Sequence, residues 1–132
     1  MREKLMKKVL KIVGIVFVLF LAVTASGMFY ISRGLDEGLN VNINAVDLSD
    51  KEDGVYKGSY DFGRWSNELN VTVKDHKIIA IDVTDDMMIV DPQVRSKLLQ
   101  SVIEEQNTTV DAVSGGTVSC KAYLKSIENA LN

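Results

Sequence analysis

The feature that most constrains this chain is an uninterrupted apolar segment close to its N-terminus. Residues 12–31 contain no charged side chain and consist mostly of Val, Ile, Leu and Phe. A helix of that length spans about 30 Å, which is the thickness of the hydrocarbon layer of a membrane. The sequence therefore predicts one transmembrane helix, and about 100 residues remain outside it, enough for one small domain.

A cleaved secretory signal is the alternative interpretation of the same segment. A basic stretch precedes it, and residues 23–25 provide small side chains for cleavage before Ser26. We favour a membrane anchor, because the apolar run continues to Ile31 and Tyr30 lies where an interfacial aromatic residue is expected. Both interpretations place the rest of the chain on the same side of the membrane.

Charge is distributed unevenly on the two sides of the apolar segment. Residues 1–11 carry a net charge of +4, and the rest of the chain carries −7. By the positive-inside rule, residues 1–11 form a cytoplasmic basic segment and residues 12–31 a single-pass helix in the cell membrane, with the C-terminal part outside the cytoplasm. That acidic part has no basic stripe to neutralise phosphates, which excludes nucleic acid as a partner.

The chain has a single cysteine, Cys120, and a single histidine, His76. These counts exclude an intramolecular disulfide, a cysteine-ligated zinc or iron–sulfur site, and a histidine cluster for a transition metal. The acidic residues Asp82, Asp85 and Asp86 are interpreted as a solvated loop rather than a cation site. We predict no metal site and no catalytic residue, so redox chemistry requires a bound cofactor.

Alternating residues predict a small antiparallel sheet after a linker. Residues 32–52 are interpreted as the linker, and residues 55–62 as the first strand. Residues 69–73 and 79–83 alternate between apolar and polar side chains, and the short connection between them contains His76, interpreted as a turn residue that tolerates positive φ. The pattern indicates a meander with one buried face.

Two helices follow the strands. Asp91 and Pro92 are typical of a helix start, and apolar residues recur behind them at helical spacing. A second helix is predicted from about Thr117, and Met87 and Met88 are interpreted as irregular core residues. The predicted fold class is α+β: an N-terminal transmembrane helix followed by a small antiparallel sheet packed with two helices.

The segment Asp111-Ala112-Val113-Ser114-Gly115-Gly116-Thr117 lies between these two helices. A glycine-rich turn at a helix start can bind phosphate, because free backbone N–H groups converge there and the helix dipole favours an anion. The alternative is a plain turn in which a Ser or Thr hydroxyl caps the helix. The residues alone leave both interpretations open.

Three parts of the chain resemble the FMN-binding domain family. They are residues 53–60 (Asp-Gly-Val-Tyr-Lys-Gly-Ser-Tyr), the hairpin 71–83, and residues 111–117 followed by Val118-Ser119. The family includes the flavinylated components of the sodium-translocating NADH:quinone reductase and of the related Rnf electron-transport complex. In those proteins a flavin transferase outside the cytoplasm esterifies the last hydroxyl of this segment with FMN. The resemblance implies that residues 53–132 form an extracytoplasmic FMN-binding domain with FMN as cofactor.

The family's site residues carry over by position. Thr117 is implied as the attachment point and Asp111 as a recognition residue for the flavin transferase. Ser114, Gly115 and Gly116 are implied as the turn that exposes the hydroxyl. Ser119 is a further candidate to contact the phosphate. Gly116 departs from the family, which usually has Ala there, and the added backbone freedom leaves a non-covalent site open.

The implied function is a membrane-anchored flavin carrier in electron transfer, which needs a flavin transferase and a membrane redox partner of unknown identity. The alternative is a tethered structural or interaction module of the same fold with non-covalent or no flavin. A stand-alone reductase ranks last, because the sequence has no nicotinamide-binding Gly-x-Gly unit. Candidate stacking partners for the flavin ring are Tyr56, Tyr60, Phe62 and Trp65.

Overall fold

A computed structural model describes residues 1–111 and 117–132, which form two compact units, Met1–Gly34 and Leu35–Asn132. The first unit consists mainly of one helix, α1 (Arg2–Ser32), with no buried residue. Within the described ranges it is the one helix long and apolar enough to cross a membrane, and a signal sequence has the same properties. The predicted long apolar N-terminal helix is confirmed.

The second unit is an α+β domain, as the sequence predicts. Its elements in chain order are α2 (Leu35–Leu39), β1 (Gly54–Tyr60), β2 (Asn67–Lys74), β3 (Lys77–Asp85), α3 (Pro92–Glu105) and α4 (Thr117–Leu131). The three strands form an antiparallel sheet in the order β1-β2-β3. Because the order follows the chain, short connections suffice and the sheet is a meander.

The β2–β3 hairpin has the turn and the buried face that its residues predict. Asp75 and His76 have φ angles of 52° and 61°, the left-handed conformation that a tight two-residue hairpin turn requires. On β2, the alternate residues Leu69, Val71 and Val73 are 0–1% exposed. Period-two alternation therefore sets the register of the sheet against the helices.

Helix α3 begins at the predicted cap. The carboxylate of Asp91 accepts hydrogen bonds from two first-turn backbone N–H groups at 3.0 and 3.4 Å, and Pro92 occupies the first helical position, where its missing N–H costs nothing. The apolar side of α3 packs into the core through Leu98 and Val102, which are fully buried.

Helix α4 packs across β1 and β2 and supplies much of the core. The backbones of β1 and α4 lie close together at Gly58, where a Cβ atom would lie 2.6 Å from the Cβ of Ala130. The position of α4, and with it the position of Thr117 at its N-terminus, is therefore set by contact with the sheet. Its buried apolar residues are Val118, Cys120, Ala122, Tyr123, Leu124, Ile127 and Leu131.

Residues 35–48, which the sequence places in the linker, pack against the domain. Val46 is only 7% exposed and belongs to the hydrophobic core. Asn44 donates from its backbone N–H and its side-chain amide to the carboxylate of Glu128, at 3.3 and 2.9 Å. The hydroxyl of Thr108 in turn donates to the carbonyl oxygen of Asn44 at 2.6 Å. This segment therefore covers one side of α4.

Glu128 makes the attachment of this segment dependent on pH. Its side chain is 6% exposed and lies 3.1 Å from the ammonium group of Lys125. Burial raises the pKa of Glu128, but the hydrogen bonds from Asn44 and Lys125 outweigh that effect and hold the pKa below its ordinary value of 4.5. A carboxyl group whose pKa is lowered by folding stabilises the fold at pH values above its unfolded-state pKa. This stabilisation is lost as the pH falls through the folded-state pKa.

We expect Glu128→Gln to cost about 1–3 kcal/mol at neutral pH, the range for hydrogen bonds to a buried charged group. Because Gln does not titrate, the variant should also lose less stability than the wild type as pH falls below about 4.5. Urea unfolding across this pH range measures both effects. Glu105→Gln, at an exposed position, is the control, and identical pH slopes for wild type and Glu128→Gln would contradict the prediction.

Candidate functional site

A cavity of about 500 Å³ opens beside the N-terminal end of α4. Its walls come from α2, from a short 3₁₀ turn (Gly63–Trp65), from the loop after β3 and from the first turn of α4. This volume is within the range of small-molecule sites, about 300–1,000 Å³. The described residues that line it are Leu35, Asp36, Leu39, Arg64, Trp65, Ile89, Thr117, Val118 and Ser119.

Two of the site residues predicted from the sequence meet in this cavity. Thr117 is exposed as the first residue of α4, and Ser119, two residues later in the same turn, is half-buried on the same lining. Asp111 is exposed and is not one of the described lining residues. Ser114, Gly115 and Gly116 lie outside the described residues, so the anion-binding turn remains a prediction.

Of the four aromatic candidates, Trp65 is the one that lines the cavity. Its ring is 6% exposed and stacks on Phe62 at a centroid distance of 5.5 Å, and Phe62 stacks on Tyr60 at 5.8 Å. The hydroxyl of Tyr56 donates to the carbonyl oxygen of Glu52 at 2.7 Å, away from the cavity. Tyr60 and Phe62 therefore support the wall indirectly, through the stack.

Arg64 is the cationic residue of the cavity, and the sequence alone did not single it out. The centre of its guanidinium group lies 4.3 Å from the centroid of the Trp65 ring. Its Nε is buried and has no hydrogen-bond partner among the described residues. A basic residue between Gly63 and Trp65 in an acidic domain was the available signal, but a single arginine in a turn is usually solvated.

A second cavity of about 150 Å³ shares Ile89 and Ser119 with the first. It reaches a partly buried polar cluster in which the hydroxyl of Tyr123 donates to Asp86 at 2.5 Å and Arg95 pairs with the same carboxylate. Burial, followed by the hydrogen bond to Asp86, raises the pKa of Tyr123, which therefore stays a protonated donor at neutral pH. Asp86 is not the solvated loop residue that the sequence predicts.

The C-terminal part of the chain, including most of this cavity, matches a known protein family. A family model described as an FMN-binding domain matches residues 63–132, just over half of the 132-residue chain. The chain belongs to the FMN-binding domain family. FMN is therefore its cofactor, in agreement with the resemblance seen in the sequence. No curated protein is similar enough to this chain to count as a match.

The cavity of this FMN-binding domain suits the two chemically different ends of FMN. The apolar side chains of the lining offer a surface for an aromatic ring system. The hydroxyls of Thr117 and Ser119, together with the first-turn N–H groups of α4, offer donors for a phosphate. Arg64 adds a positive charge. Part of the wall comes from α2, which lies outside residues 63–132, so the site extends beyond the matched segment.

Among the described residues, no group of three or more His, Cys, Asp or Glu side chains is arranged to hold a metal ion. The polar side chains of the described lining are two hydroxyls, one guanidinium and the exposed carboxylate of Asp36; the hydroxyls and the guanidinium are donors that recognise anions. The donor set of the site therefore favours a phosphorylated ligand.

Proposed function

We propose that this protein is a membrane-anchored extracytoplasmic flavoprotein that carries FMN covalently on Thr117 and acts in electron transfer. The observation that carries the proposal is the position of Thr117, exposed at the start of α4 and on the lining of the 500 Å³ cavity. A phosphate esterified to its hydroxyl can remain beside the helix N-terminus while the rest of the cofactor lies along the cavity.

Attachment at Thr117 requires an activated donor. Direct esterification by FMN would have to expel water, so the transferase needs a flavin nucleotide that contains a phosphoanhydride bond. Thr117 Oγ forms a bond to the phosphorus next to the flavin side, the phosphoanhydride bond breaks, and a nucleoside monophosphate leaves. The hydroxyl proton passes to a base of the transferase or to water, and no atom changes its oxidation state.

The proposed role divides the work between cofactor and protein. Bound FMN supplies one- or two-electron transfer. Trp65 and the apolar lining exclude water from part of the site, and α4 holds the attachment point against the sheet. Donor and acceptor are partner proteins, one in the membrane and one outside the cytoplasm.

The proposed location rests on α1 and the charges that precede it. The helix is long enough to span a bilayer, and residues 1–11 carry a net charge of +4. The positive-inside rule then favours a cytoplasmic N-terminus, with the FMN-binding domain outside. An anchor would keep a protein with covalently held FMN beside a membrane reductase, whereas a cleaved signal would release it.

One observation favours a second candidate, a tethered module with non-covalent or no flavin. Gly116 stands where the resembling proteins usually have Ala, and glycine gives the backbone next to the acceptor hydroxyl more freedom. A less ordered acceptor reacts more slowly, because positioning of the nucleophile contributes much of the rate in such transfers.

Co-expression with an extracytoplasmic flavin transferase tests the proposal. We expect a flavin-fluorescent band on a denaturing gel, at the mass of the intact chain, and a dark band from cells without the transferase. Labelling requires the domain to reach the side where the transferase acts, so the band also reports the orientation, and its mass separates an anchor from a cleaved signal. A dark band with the transferase present would refute covalent attachment, and native flavin absorbance would then separate non-covalent FMN from an empty module.

A further inference from the structure

The 3₁₀ turn Gly63–Trp65 holds Arg64 at a fixed point in the wall of the cavity. The backbone N–H of Trp65 donates to the carbonyl oxygen of Phe62 at 3.0 Å, and the carbonyl oxygen of Arg64 accepts from the N–H of Met88 at 3.1 Å. Gly63 has a φ of 51°, the left-handed conformation that glycine adopts without strain. Hydrogen bonds within the turn and to Met88 therefore fix the backbone of Arg64, and with it the starting point of its side chain.

The guanidinium group of Arg64 is also held by stacking. It lies over the ring of Trp65, whose other neighbour in the stack is Phe62. A cation–π contact of this kind uses the charge of the guanidinium and requires none of its N–H groups as hydrogen-bond donors. Arg64 is thus oriented before any ligand arrives, which lowers the entropy that binding costs.

One of these donors is buried without a partner. Arg64 Nε has no hydrogen bond in the described part of the chain, and none of the three ion pairs there includes Arg64. Arginine does not lose its proton in proteins, so the charge cannot be relieved by titration. A buried donor on a charged group that lacks a partner is costly, and an anionic ligand is the group that removes this cost.

The cavity places other phosphate-binding groups next to this cation. Thr117 and Ser119 line the same space, and the dipole of the 15-residue helix α4 is positive at this end. One carboxylate, that of Asp36, also lies on the lining, but Asp36 is exposed and forms no ion pair with Arg64. Its charge is therefore largely screened by solvent.

We propose that Arg64 donates to the phosphate group of bound FMN and makes this domain prefer FMN over riboflavin, which has the same ring and no phosphate. The proposal rests on FMN binding at the cavity beside Thr117, and it adds a residue that sets ligand specificity. Trp65 has one role here: its ring, which lies between Phe62 and Arg64, orients the guanidinium.

The experiment titrates the full-length chain in detergent with FMN and, separately, with riboflavin. The chain is purified without a transferase and is therefore free of covalent flavin. Comparing the two affinities distinguishes contacts to the phosphate from contacts to the ring. We expect the wild type to bind FMN more tightly than riboflavin. Arg64→Gln should weaken FMN binding by about 10- to 100-fold, the range for a lost hydrogen bond to a charged group, and leave riboflavin binding nearly unchanged. The readout is quenching of the emission of Trp65, the single tryptophan of the chain.

Two further variants keep the experiment interpretable. Arg64→Lys retains the charge without the planar donor fork, so its preference for FMN should lie between those of the wild type and Arg64→Gln. Lys51→Gln is the matched control, because Lys51 also lies over an aromatic ring, that of Tyr56 at 5.4 Å, but outside the cavity lining. It should change neither affinity. The thermal midpoint of each variant shows that it is folded.

The outcomes separate this proposal from the proposed function. An unchanged ratio of FMN to riboflavin affinity in both Arg64 variants overturns the role of Arg64 and leaves FMN binding intact. Equal losses for FMN and riboflavin in Arg64→Gln also overturn it, because they indicate contact with the ring rather than the phosphate. A wild-type chain that binds neither ligand also overturns the role of Arg64, and fluorescence on the denaturing gel after co-expression with the transferase then decides the flavoprotein assignment separately.

Discussion

Replacing Gly58 with alanine is expected to destabilise the domain by about 3 kcal/mol or more, because the added Cβ overlaps the backbone of α4. An ideal Cβ at this position lies 2.6 Å from the Cβ of Ala130 and 2.8 Å from its backbone nitrogen, and it also collides with the carbonyl oxygen of Ser126. Backbone atoms cannot rotate away as a flexible side chain can, so α4 must move off the sheet. Domains of this kind have only about 5–15 kcal/mol of total stability.

The consequence reaches the functional site, because α4 begins at Thr117. Urea unfolding followed by Trp65 fluorescence measures the loss, and flavin attachment should fall with it. Ser59→Ala is the matched control on the same strand: its side chain is exposed, and it should change stability by no more than about 0.5 kcal/mol. A Gly58→Ala variant as stable as the control would show that β1 and α4 do not make the close contact described above.

The parts of the fold that depend on neighbouring residues in the chain were predictable from the sequence. Asp75 and His76 form the tight hairpin turn, and Asp91 caps α3, because turn chemistry and capping use contacts within a few residues. Cys120 was expected on the buried side of the last helix, and it is 0% exposed. Local chemistry was sufficient for the turn and the cap, and helical periodicity was sufficient for Cys120.

Contacts between distant segments were not predictable in this way. Asn44 and Glu128 are 84 residues apart, and nothing in the local pattern of residues 40–48 indicates that Val46 enters the core. Met87 and Met88 were both interpreted as core residues, but Met87 is 4% exposed and Met88 is 70% exposed. In an irregular segment, burial depends on where the chain turns, and hydrophobicity alone does not specify that.

The candidate site shows the same division. Thr117 and Ser119 could be named from the segment that resembles the family, because that segment is contiguous in the chain. Trp65 could be named only as one of four aromatic candidates and Arg64 not at all, since both reach the cavity from a turn more than 50 residues away from Thr117. Cavity walls form where separate elements meet. A contiguous sequence motif can therefore identify the reacting group, but it does not identify the residues that surround that group.

Thr117→Val is expected to abolish covalent flavin completely, because the variant keeps the branched shape of the side chain and has no oxygen to which the phosphorus can bond. The side chain is exposed, so the fold should tolerate the change. Non-covalent binding of FMN should weaken by no more than about 10- to 100-fold, the effect of one lost hydrogen bond to a charged phosphate. The expected result is a dark band on the denaturing gel together with flavin absorbance in the native protein.

Two hydroxyl variants complete this experiment. Thr117→Ser retains an acceptor oxygen at the start of α4 and should remain fluorescent on the gel, and Ser119→Ala should remain fluorescent because the acceptor is untouched. Fluorescence in Thr117→Val would place the ester on another hydroxyl, and its loss on adding Ser114→Ala or Ser119→Ala would then identify which. Exposure of Thr117 favours attachment there over Ser119, which is half-buried, while both hydroxyls lie in the first turn of α4, where the helix dipole stabilises a phosphate.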